Sequence, residues 1–144
     1  MVRKDRKKEY TFFVLPNNKK IKLIYAPSKE IFIIKKKFLS IIFDDYFYKL
    51  SPEEKEFVIW HELFHKYYES SHIFLCIKII FNIVNASYEA EYLADKFGVK
   101  NGTKQGAIKF LRRAKILYKQ GILKYNPKTH PPIEERMKRV NNLK

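Results

Sequence analysis

Apolar and polar positions follow two different rhythms along this chain. Up to about residue 50 they come in short runs, and beyond it they recur at helical spacing. Tyr10 to Leu15, Ile21 to Tyr25 and Ile31 to Lys35 have the β-branched and aromatic content of strands, and the turn formers Pro16-Asn17-Asn18 and Pro27-Ser28 divide them. They predict a small antiparallel sheet over residues 10–35, after a basic leader over residues 1–9. Phe38 to Phe47 is an apolar run too short for periodicity to classify, and it is read as mostly helical.

Ser51-Pro52-Glu53-Glu54 is a capping box with proline at the first helical position, so a helix begins at Pro52. Its apolar face runs Phe57, His61, Phe64, His65 and Tyr68, which predicts a helix over 52–69 with both histidines on the inward stripe. Ile73 to Val84 reads as a further helix, interrupted by Lys78 and Asn82 and too short to span a bilayer, which takes ~20 mostly apolar residues. Its bland reading is a core helix, and its functional one a helix lying on lipid. Three more helices are expected: 86–97, stopped by Gly98; 103–120, with Thr103 as N-cap and Gly121 as stop; and 132–143. Strands first and helices afterwards predict an α+β fold, with the sheet leading into a mainly helical bundle.

Composition narrows this picture. The 144 residues suit a single domain, 1–144, and 46% hydrophobic with 16% aromatic residues excludes a disordered chain. Lone Cys76 excludes an internal disulfide framework and a cysteine zinc ribbon. No apolar h-region follows the basic start, so no secretory signal and no membrane span are read, and a cytoplasmic protein is expected. Thirty basic against 15 acidic residues give a net charge of +15, which raises nucleic acid or an anionic membrane as partner. The excess is mostly lysine and dispersed, without a nucleic-acid motif, so nucleic acid is disfavoured and peripheral membrane contact stays open.

The chemistry lies in His61-Glu62-Leu63-Phe64-His65, an H-E-x-x-H string on a helix already defined by other signals. Two imidazoles at i and i+4 can bind one zinc ion, and Glu62 is placed to act as a base. A catalytic zinc wants a third protein ligand. The candidates are His72, His130 and the acidic residues of Glu89 to Asp95. Glu91 and Asp95 share a helix face, so Glu91 can ligate while Asp95 accepts the free N–H of a ligating histidine. Thr129-His130-Pro131-Pro132 reads equally as a rigid loop or as the carrier of an oxyanion donor, and His72 reads as an exposed turn residue.

The ordered motifs Leu50-Ser51-Pro52-Glu53-Glu54, His61-Glu62-x-x-His65, Glu91-x-x-Ala94-Asp95 and His130-Pro131-x-x-x-x-Arg136 resemble those of the HtpX and CAAX prenyl endopeptidase family of gluzincin metallopeptidases. The resemblance covers roughly residues 21–143. It implies a zincin-like domain with one Zn²⁺ held by His61, His65 and Glu91, Glu62 as catalytic base, Asp95 behind the ligands, His130 near the substrate oxyanion and Arg136 holding the site. Many relatives carry membrane helices that this sequence lacks, so the resemblance implies a bare catalytic domain acting on a peptide or protein substrate. An exposed edge strand from the Ile21 to Lys35 region would align an extended substrate. A zinc-binding or partner-sensing module without turnover is the rival reading.

Overall fold

The computed structural model describes the backbone of residues 10–14, 20–25, 35–37 and 40–43, and backbone with side chains for residues 49–65 and 86–144. Where the sequence predicted one core, the chain divides into two compact units, Met1–Lys49 and Leu50–Lys144. The first contains β1 (Tyr10–Val14), β2 (Lys20–Tyr25), β3 (Lys35–Lys37) and β4 (Ser40–Phe43), in the order β1-β2-β4-β3. β1 runs antiparallel to β2, with Tyr10 opposite Ile24, and β3 runs antiparallel to β4. β2 and β4 are parallel, with Lys22 opposite Ser40.

The expected α+β class with an N-terminal antiparallel sheet is therefore corrected. Leu50–Lys144, the unit described with side chains, is helical and has no strand among its described residues, and strand pairing in the first unit is mixed. The physical reason for the mixed pairing is the connection from β2 to β4. It passes through β3 and is long enough for a crossover, whereas a tight turn would have enforced an antiparallel hairpin. Ser40–Phe43 is likewise a strand where a helix was expected, because its short apolar run gains ladder partners on both sides. β2 has a neighbour at each edge, so it offers no free edge to an extended peptide.

The second unit begins with α1 (Pro52–Leu63), after which Phe64 and His65 continue in a wider π turn. The remainder of the expected 52–69 helix, His72 and the Ile73 to Val84 helix lie outside the described residues. The capping box forms as the sequence requires: Ser51 Oγ accepts the Glu54 N–H at 3.4 Å, and Glu54 Oε2 accepts the Ser51 N–H at 2.7 Å. Glu54 is buried, which alone would raise its pKa. Its twin hydrogen bonds from Arg113, at 2.9 and 3.1 Å, together with the Ser51 N–H, outweigh burial and hold it below the ordinary carboxylate value.

α2 (Ala86–Asn101), α3 (Lys104–Lys119) and α4 (Ile133–Asn142) complete this unit. Thr103 caps α3 by accepting the Gly106 N–H at 2.9 Å. α3 ends in a Schellman motif: Ile122 N–H donates to Leu117 O, Gly121 N–H donates to Tyr118 O, and Gly121 takes φ +68°. Gly98 is not the stop that the sequence led us to expect. It lies inside α2, where a Cβ would come within 2.8 Å of the Phe57 ring, so its role is the close approach of α1. α1 packs against α2 and α3, and α4 against α3 and α2, around Phe57, Leu63, Leu111 and Val140, with Ala94 and Ala107 at the close approaches. No helix among the described residues is long and apolar enough to cross a membrane.

Candidate metal centre

α1 presents His61 and His65 one turn apart, with ring centroids 5.0 Å from each other. The Phe57 ring, 5.8 Å from His61, packs one turn earlier on the same stripe. α2 crosses this stripe with Glu91, so the two imidazoles face one carboxylate. His61 Nε2 lies 3.6 Å from Glu91 Oε2, and His65 Nε2 lies 3.2 Å from Glu91 Oε1. One ligand atom from each of the three residues lies within 4.8 Å of the others, so the group could hold a metal ion.

The donor chemistry can be tested against zinc. Nitrogen and oxygen ligands about 2.0–2.1 Å from a tetrahedral ion stand roughly 3.4 Å apart. The two imidazole-to-carboxylate distances bracket that spacing. The set offers two imidazole nitrogens and one carboxylate oxygen, donors of the kind that zinc accepts. The residues fit the ion.

A second layer of charge fixes this group. Asp95, one turn after Glu91 on α2, places Oδ1 3.0 Å from His61 Nδ1. A carboxylate can only accept, so the imidazole proton belongs on Nδ1, and the Nε2 lone pair is turned toward Glu91. From α4, Arg136 donates to both Asp95 oxygens, Nε to Oδ2 at 2.8 Å and Nη2 to Oδ1 at 2.6 Å, and its Nη1 approaches Glu91 Oε2 at 3.4 Å. All three groups are buried. Burial alone would raise the Asp95 pKa, but the Arg136 charge and hydrogen bonds, with the His61 contact, hold it well below the ordinary value. Burial likewise raises Glu91, and the close contacts with His65 and His61 together with the Arg136 charge overcome it and hold its carboxyl below the ordinary value. Arg136 moves the other way: burial opposes its charge, and Asp95 with Glu91 more than restores it.

His130 stands at the edge of the cluster, with Nε2 4.0 Å from Glu91 Oε1 and its side chain 45% exposed. Burial of the ring lowers its pKa, against the opposing pull of Glu91. Thr129 Oγ1 lies 2.8 Å from His130 Nδ1 and orients the ring. Glu62 is partly exposed on α1, and its charge is felt at His130. All seven residues singled out in the sequence therefore belong to the helical unit. His61, Glu91, Asp95 and Arg136 form its buried heart beside half-buried His65, with His130 at the rim and Glu62 on the adjoining helix face.

Sequence reasoning missed Tyr88. Its hydroxyl donates to Pro127 O at 2.5 Å and so ties the loop that carries His130 to α2. The available signal was its position three residues before Glu91, which places it on the same face of α2. No family model, curated protein or solved structure matches the chain.

Proposed function

We propose that the chain is a zinc-dependent metallopeptidase of gluzincin type, similar in its ordered motifs to the HtpX and CAAX prenyl endopeptidase family. The observation that carries this reading is the convergence of His61, His65 and Glu91, with Glu62 next to His61 in the chain. Bound zinc supplies Lewis acidity, which polarises a scissile carbonyl and acidifies water. His61, His65 and Glu91 would hold it, while Asp95 keeps the His61 proton on Nδ1. Arg136 offsets one of the two negative charges of the buried Glu91 and Asp95 carboxylates and so eases their mutual repulsion. Glu62 takes the proton of the attacking water and returns it to the leaving amine, so the base is regenerated in each cycle. His130, with an N–H on Nε2, donates to the carbonyl oxygen as negative charge develops there.

The retained Glu62 favours turnover over a purely structural metal site, which needs no base. The test is zinc stoichiometry with peptide hydrolysis in the full chain. One zinc per chain is expected, lost in Glu91→Ala, together with hydrolysis that falls by at least about a hundredfold in Glu62→Gln while zinc stays bound. Full zinc occupancy in His61→Ala/His65→Ala, or undiminished hydrolysis in Glu62→Gln, removes the proposal.

A further inference from the structure

A cavity of about 230 Å³ opens between the end of α3 and the start of α4. Tyr118, Tyr125, Pro132 and Ile133 wall it, and the two tyrosine rings meet edge to face with centroids 5.8 Å apart. An apolar cavity of roughly 150 Å³ is enough to take a benzene ring, so this one accommodates a large apolar side chain. Tyr125 is 41% exposed and neighbouring Ile122 is 38% exposed, so both have apolar surface to bury on contact.

The charge at the cavity is asymmetric. Lys115 and Lys119 both line it, and Glu134 is the one carboxylate among its lining residues, with Oε1 3.2 Å from Lys115 Nζ. Two cations against one anion leave a net positive mouth, within a chain whose formal charge is +15. Such a field favours acidic ligands and repels basic ones.

One wall of the cavity is linked along the chain to the rim of the candidate metal centre. Pro132 follows His130 by two residues, and His130 Nε2 is 4.0 Å from Glu91. Tyr118 shares the surroundings of both Glu91 and Arg136: burial raises its phenol, Arg136 draws it down and Glu91 pushes it up.

We propose that this cavity is a substrate subsite that takes one bulky apolar side chain and selects an acidic residue next to it. The proposal rests on the peptidase reading and supplies its substrate class, an acidic peptide with an aromatic or branched aliphatic anchor. Tyr118, Tyr125 and Ile133 receive the anchor, and Lys119 faces the neighbouring carboxylate.

The test separates recognition from hydrolysis. Glu62→Gln protein with zinc added is titrated with three blocked dipeptides, Phe-Glu, Phe-Lys and Ala-Glu, and binding is followed by chemical-shift changes. Phe-Glu is expected to bind at least about tenfold more tightly than the other two. Tyr125→Ala removes the preference for Phe, and Lys119→Glu removes or reverses the preference for Glu, each with one zinc per chain retained. In a peptide-library digest by the unsubstituted protein, cleavage concentrates beside apolar–acidic pairs, and the two substitutions raise KM more than they lower kcat. Equal binding of the three dipeptides, or preferences that survive both substitutions, overturns the subsite. Selective binding without cleavage leaves the subsite standing and overturns the peptidase reading, and cleavage without these preferences does the reverse.

Discussion

Asp95 stands between two partners of different kinds, the Arg136 guanidinium and the His61 ring, and each depends on it. Asp95→Asn keeps the shape but leaves the buried guanidinium with Glu91 as its remaining neighbouring carboxylate, 3.4 Å away. Losing one partner of a buried pair costs about 3–5 kcal/mol, and the surviving contact to Glu91 puts the expected loss near the lower end. Chemical denaturation measures that loss, and zinc competition should show affinity reduced about 10–100-fold. Tyr88→Phe is milder. It removes one hydrogen bond, worth about 1 kcal/mol, and hydrogen exchange in the 121–132 loop should quicken while zinc binding persists. At this scale the sequence was informative where chemistry is local: His61 and His65 announce themselves by spacing on one helix, and Glu91 with Asp95 stood among several candidates for the third position until the resemblance favoured them. Arg136 meets Asp95 across 41 residues of chain, and no periodicity shows such a contact; only the resemblance pointed to it.

Helices α1 and α2 show where local rules succeed and where packing overrules them. The Ser51–Glu54 capping box was legible because every atom it uses lies within four residues. Gly98 was misread as a helix stop because its reason for being glycine belongs to another helix. Gly98→Ala is a sharp test. Helix propensity alone favours alanine by about 1 kcal/mol, but the new Cβ meets the fully buried Phe57 ring, and overpacking costs about 1–3 kcal/mol. A lower denaturation midpoint is expected, where propensity alone predicts a higher one. Glu54 gives α1 a pH dependence. Its folded pKa is depressed, so its contribution is present above the ordinary carboxylate value of about 4.3 and is lost as pH falls through the folded value. Other buried carboxylates titrate in the same direction, so the informative quantity is a difference: Glu54→Gln should be less stable at neutral pH and converge on the parent protein in acid.

For the molecule as a whole, the helical unit is the part that metal should stabilise. A ligand that binds only the folded state at 1,000 times its Kd adds about 4.1 kcal/mol, so a chelator should lower Tm, and Glu91→Ala should abolish the chelator's effect. The helices described in Leu50–Lys144 were legible, but the strand pairing was not, because parallel pairing of β2 with β4 depends on a connection whose path no local signal describes. The tie from Tyr88 to Pro127 has a mechanical consequence. Tyr88 and Glu91 ride on one helix, less than a full turn apart, so a slide or rotation of α2 would carry the Glu91 carboxylate and the His130 loop together. The two are gauged from a common carrier. A displacement of α2 against α1, whose seam is the close approach of Gly98 to Phe57, would therefore change the separation of Glu91 from His61 and His65 while leaving its register with the His130 loop unchanged.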